Sequence, residues 1–129
     1  MELDKIQWKD SFSVGNKSID NQHKQLITLI NILIEANGKG TTSLSLLNEV
    51  LRQLVHYSQY HFQLEEAKFR KFQYPEVAKH IKEHQSFIKK IDSFKKNKSE
   101  QLSTEMLGYL SNWFTKHTLE SDRRLTGML

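Results

Sequence analysis

His80 and His84 stand four residues apart in the stretch His80-Ile81-Lys82-Glu83-His84. On a helix that spacing separates two side chains by about 40° around the axis and one turn along it, so both imidazoles can reach one metal ion. The stretch alone is ambiguous, because H-x-x-E-H is also the zinc-protease pattern, in which the glutamate, here Glu83, serves as the base. A second pair at the same spacing, His61 and Glu65, offers one nitrogen and one carboxylate. His23 and His117 are further candidates. With no cysteine in the chain, disulfides, thiolate metal sites and a cysteine nucleophile are excluded, and any metal is left to nitrogen and oxygen ligands.

These side chains need long elements to hold them, and the composition supplies helices. Five glycines and one proline among 129 residues are little material for the turns of an all-β fold, and 37% hydrophobic with 26% charged residues is a globular balance. One domain is expected over residues 1–129, beginning with an arm at 1–17 that carries Trp8, Phe12 and Val14 and turns at Gly15-Asn16. Leu26, Ile27, Ile30, Leu33 and Ile34 recur at three- and four-residue steps, which predicts a helix at about 19–37 with His23 on its inner stripe and a stop at Asn37-Gly38. A second helix at about 42–72, capped by Ser or Thr, places Leu47, Leu51, Leu54, Ser58, His61, Glu65, Phe69 and Phe72 inward. Tyr74-Pro75 breaks the chain, and a third helix at about 75–95 directs Val77, His80, His84, Phe87, Ile88 and Ile91 inward. The fourth, at about 99–119, does the same with Leu102, Met106, Tyr109, Leu110, Trp113, Phe114 and His117.

Four amphipathic helices with short joins predict an all-α, up-down-up-down antiparallel four-helix bundle with the arm packed on it. Alternating direction brings the start of the first helix, the end of the second, the start of the third and the end of the fourth to one end. Five of the six histidines gather there, with Glu65 and Asp122. Burying so many imidazoles without a cation is costly. Seven ligands are too many for one ion, and a shared carboxylate is the natural way to hold two. Asp122 lies five residues after His117, about 140° away on an ideal helix, so the helix must end or distort there. His56 falls off the ligand face. Glu66 and Glu83 are expected to be solvated carboxylates, and Tyr60 and Tyr109 to serve in packing.

The matching residues then become specific: Trp8, Val14-Gly15, Ile19-Asp20-Asn21-Gln22-His23, His61-x-x-x-Glu65, Tyr74-Pro75, His80-x-x-x-His84 and Trp113-x-x-x-His117-x-x-x-x-Asp122. Over nearly its whole length the chain resembles the bacterial hemerythrins, non-haem di-iron proteins that bind oxygen. The resemblance implies two irons per chain, with His80, His84 and His117 on a six-coordinate iron and His23 and His61 on one with an open position. It further implies that Glu65 and Asp122 bridge both, together with an oxo or hydroxo group. O2 would bind at the open position, in a pocket that Thr118 lines; Trp113, Phe114 and the aliphatics of the first helix are placed either to keep that pocket dry or to fill the core. The residue after the fourth-helix histidine is usually isoleucine or leucine in that family. Threonine here suggests a wetter pocket or a hydrogen bond to the bound gas.

The implied function is reversible O2 binding for storage, delivery or buffering by a non-enzymatic protein. A ligand set dominated by imidazole, unlike the four-glutamate set of ferritin-like enzymes, favours Fe(II) and reversibility. The rivals are a di-iron peroxidase or oxidase using the same ligands, a sensing module, and a zinc protease, which would leave His23, His61 and His117 without a role. The mixed-charge start carries no secretory signal and no segment is apolar over a membrane span, so a cytoplasmic protein is expected. A monomer is expected, with an oligomer left open. A net charge of +4 without a recognition pattern argues against nucleic acid.

Overall fold

The computed structural model describes residues 5–40, 42–72, 77–96 and 101–121, with the side chains at 69, 72, 120 and 121 also outside the description. Four helices form there: α1 (Lys17–Gly38), α2 (Leu44–Phe72), α3 (Val77–Lys96) and α4 (Leu102–Trp113), the last continuing as a π-helical segment, Phe114–Ser121. The expected all-α four-helix bundle is the fold. α1 packs against α2 and α4, and α2 against α3. The Trp113 ring meets Phe87 at 4.6 Å and Tyr109 meets Phe94 at 5.8 Å, which joins α4 to α3. At the end of α1, Asn37 Oδ1 accepts a hydrogen bond from Ser103 Oγ at the start of α4, 3.1 Å away. α1 also contacts the segment after α4, where Phe12, just ahead of α1, packs on Phe114 at 5.6 Å. Those two helices therefore run antiparallel.

Helix limits follow local chemistry. Asn16 caps α1, its side chain accepting from the Ile19 N–H at 3.1 Å, directly after Gly15 turns the chain at φ +80°. Ser43 Oγ accepts from the Leu46 N–H at 3.1 Å and caps α2. The stop at Gly38 is completed by Gly40, whose φ of +66° lies in the left-handed region. The expected starts at Pro75 and Ser99 lie outside the described residues. Among those described, no helix is long and apolar enough to cross a membrane.

The inner stripes agree with the periodicity in most positions, including His23, Leu26, Leu33, Leu54, His61, His84, Phe87 and Leu110. Ile88 does not: it is 46% exposed. The seam of α3 runs through His80, His84, Phe87, Ile91 and Phe94, and Ile88 stands one residue, about 100°, off that line. Val77 is only partly covered. Phe62 and Tyr57, absent from the expected stripe of α2, are buried, because α2 is enclosed by neighbours on a wider arc than a single line of residues.

The arm is tied at three points. Asn31 exchanges two hydrogen bonds with the Ile6 backbone, at 2.7 and 2.8 Å. The rings of Trp8, Phe12 and Phe114 form an edge-to-face chain, with centroids 5.7 and 5.6 Å apart. Asp20 accepts from the Val14 N–H at 2.9 Å and the Ser13 hydroxyl at 2.5 Å, which seats the fully buried Val14. Asp20→Ala is expected to lower stability by about 1–3 kcal/mol, the range for losing hydrogen bonds to a charged group. Urea unfolding measures this, and an unchanged midpoint would show that the rings and the Asn31 bonds suffice to hold the arm.

Candidate metal centre

His23 comes from the second turn of α1, His61 and Glu65 from late α2, His80 and His84 from early α3, and His117 from the π-helical segment. All six are buried, Glu65, His23 and His61 completely. One oxygen organises them: Glu65 Oε1 lies 3.1 Å from His61 Nε2, 3.2 Å from His84 Nε2, 3.6 Å from His80 Nε2 and 3.9 Å from His117 Nε2. A small octahedral ion with bonds of about 2.1 Å holds neighbouring donors roughly 3 Å apart, the scale of these separations. The donors fall into two groups, Glu65 with His80, His84 and His117, and Glu65 with His23 and His61. Each could hold one cation, and the carboxylate belongs to both.

The imidazoles are presented in the form a metal requires. Burial pushes His84 below the usual histidine range, although the carboxylates of Glu65 and Glu66 oppose the shift, and this favours the neutral ring. The nitrogen facing away from the centre donates outward in three cases. His61 Nδ1–H donates to Gln22 Oε1 at 2.8 Å, His84 Nδ1–H to Glu66 Oε2 at 3.0 Å, and His117 Nδ1–H to Glu83 Oε2 at 2.6 Å. Each bond leaves Nε2 as the lone-pair donor toward the centre. The same three rings also carry an aromatic face: Tyr57 on His61 (5.0 Å, 14°), Phe62 on His84 (3.8 Å, 8°) and Trp113 on His117 (4.1 Å, 13°). A ring held by an edge bond and a stacked face has little freedom left to turn.

Glu66 and Glu83 are therefore not the solvated bystanders expected from sequence. Each stands next to an inward residue on its own helix, about 100° off its inner line, and from there reaches the histidine of the following helix. Gln22 on α1, Glu66 on α2 and Glu83 on α3 repeat one device. The available signal was a polar residue adjoining an inward ligand, but which ring it meets is a matter of helix packing. His56 is exposed beside Tyr60, which is 67% exposed, while Tyr109 packs on Phe87 and Phe94; burial pushes the Tyr109 hydroxyl up to about 12.

The distortion required after His117 is present. A π-helix bonds residue i to i+5 and so brings positions five apart into line, the spacing between His117 and Asp122. Asp122 itself lies outside the described residues. Phe114 packs on Phe12 of the arm. Thr118 is 1% exposed, and its hydroxyl has no hydrogen-bond partner among the described residues.

A family model described as "Hemerythrin HHE cation binding domain" matches residues 14–129. The chain belongs to the hemerythrin family. The donor set of buried imidazole nitrogens around a carboxylate, without sulfur, fits the non-haem iron site of a hemerythrin. Relatives named Bacteriohemerythrin include one from Clostridium acetobutylicum, 32% identical over 122 residues, covering 90% of this chain and 95% of the relative. Another, from Pseudomonas aeruginosa, is 32% identical over 118 residues, or 89% of this chain and 75% of the relative. A Hemerythrin-like protein from Naegleria gruberi is 28% identical over 122 residues, 95% and 92% of the two chains. Hemerythrin-type metal and oxygen binding is thus the class of activity.

Proposed function

We propose that this hemerythrin holds two irons and binds O2 reversibly, for storage, delivery or buffering in the cytoplasm, as a carrier and not an enzyme. The observation that carries this reading is the sharing of Glu65 by two donor groups of unequal size, three histidines on one side and two on the other. His80, His84 and His117 would hold one ion, His23 and His61 the other, with Glu65 and Asp122 as bridges. When bound, the metal pair would supply two reducing equivalents to O2 and take them back on its release. On the side with two nitrogens, a coordination position would be left for O2.

The residues of the chain prepare that position. Glu65 balances cationic charge at the centre. Gln22 and Tyr57 fix the His61 ring, and the arm's Phe12 closes over Phe114. Trp113 covers the His117 face, so its contribution to a dry site falls on the three-histidine side. Buried Thr118 brings a hydroxyl with no hydrogen-bond partner among the described residues beside His117, available to a water or a bound gas. The experiment is stopped-flow mixing of the diferrous protein with O2. A long-lived absorbance band that appears with O2 and disappears under vacuum, restoring the diferrous spectrum, is expected. Rapid decay with consumption of a reductant would mean peroxidase or oxidase chemistry instead.

Thr118→Ile replaces that hydroxyl, and the water it can hold, with an apolar group, and is expected to slow autoxidation by roughly fivefold, the rate equivalent of removing one water hydrogen bond of about 1 kcal/mol from the bound gas. The decay of the oxygenated spectrum in air reads this out directly. An unchanged rate would remove Thr118 from the pocket.

A further inference from the structure

We infer that Glu66 and Glu83 act as positioning residues that make the two halves of the centre chemically unequal, so that metal enters the three-histidine half first and more tightly. The inference rests on the metal-centre reading above. The acceptors behind the rings differ in kind. In the three-histidine half, His84 and His117 each donate to a carboxylate, Glu66 at 3.0 Å and Glu83 at 2.6 Å. In the two-histidine half, His61 donates to the neutral amide of Gln22 at 2.8 Å. The three contacts share one geometry, a residue on one helix reaching Nδ1 of a histidine on the next, and they differ in charge.

That difference has a direction. An anionic acceptor draws the Nδ1 proton toward itself and raises electron density at Nε2, making the imidazole a better donor, whereas an amide does so much less. Both carboxylates keep partial access to solvent, with side-chain exposures of 25% for Glu66 and 29% for Glu83, so neither is fully desolvated. Glu83 also lines a groove with Lys79, Lys82 and Lys116. Charge donation is thus concentrated where three nitrogens already gather. On the other side, neutral Gln22 leaves His61 an ordinary imidazole, and the ion held there keeps more of its Lewis acidity for an external ligand.

Titration of the apoprotein with Co(II), followed by calorimetry and by the visible spectrum, tests this without oxygen chemistry. The wild-type protein is expected to bind in two resolved steps, and His23→Asn is expected to delete the weaker. Glu83→Gln and Glu66→Gln keep the shape and an acceptor oxygen but remove the charge. Each should weaken the tighter step by about 10–100-fold and leave the weaker one in place. Asp in place of Glu83 should restore part of the loss, and Gln22→Glu should tighten the weaker step until the two approach each other. A role limited to holding the rings in place predicts no change on Glu→Gln, and that result, or equal weakening of both steps, overturns the inference. Circular dichroism of each apoprotein separates these outcomes from misfolding. If the folded wild-type protein takes up no Co(II), the metal-centre reading itself fails, and this inference with it.

Discussion

Glu65→Ala is expected to leave the protein without iron. Metal analysis after anaerobic reconstitution with Fe(II) should find a small fraction of the wild-type content, because the substitution removes a donor from both groups at once. Glu65 is the only carboxylate among the described residues of either group, and its Oε1 lies 3.1 to 3.9 Å from four of the five imidazoles. Without it, the described donors are neutral rings, and the charge of the cations goes unbalanced in a buried space. Glu65→Gln should behave similarly, with affinity lowered by more than about 100-fold, since partners one bond removed from a metal are already worth 10–100-fold. The apoproteins should tell the opposite story. A completely buried carboxylate is costly without its cation, so the Glu65→Gln apoprotein is expected to unfold at an equal or higher urea concentration than the wild type. Iron content near the wild-type value in Glu65→Gln would show that the carboxylate does not bridge.

Phe62→Ala should cost about 3–5 kcal/mol of folding stability, the range for emptying an aromatic site in a packed core. Phe62 is 3% exposed and lies at the junction of the metal centre and the apolar core. It meets Tyr57 at 6.2 Å, Phe87 at 5.6 Å and Trp113 at 6.0 Å, and lies flat on the His84 ring at 3.8 Å. Its loss opens a cavity against the centre and frees one face of a candidate ligand. Urea unfolding of the apoprotein measures the first effect, and a weakened Co(II) step in the three-histidine half measures the second. Phe62→Leu, which refills most of the volume, should recover stability but not the flat contact. A loss below about 1 kcal/mol in Phe62→Ala would mean that the surrounding rings collapse into the space.

Phe62 also shows where reading a sequence by stripes falls short. A single inward line on α2 passes through Leu54, Ser58, His61 and Glu65, and Phe62 stands one residue off it. Three- and four-residue periodicity identifies the centre of a buried face but not its width, which depends on how closely the neighbouring helices approach. Ile88 shows the converse error. It is apolar and adjacent to the inner line of α3, yet it is 46% exposed, on a side that none of the described helices covers.

What the sequence determined by itself was the candidate donor set and its level in the bundle. Covalent spacing along a helix converts directly into direction, so His61 with Glu65 and His80 with His84 had to share faces, and alternating helices had to bring them to one end. The five-residue step from His117 to Asp122 likewise demanded a distortion, and the π-helical segment over Phe114–Ser121 supplies one. What only the tertiary structure decided was which side chains stand behind the ligands. Gln22 meets His61, Glu66 meets His84 and Glu83 meets His117 across three different helix pairs. Those contacts depend on the rotation and separation of whole helices, set by the packing of the entire core, and no local spacing encodes them.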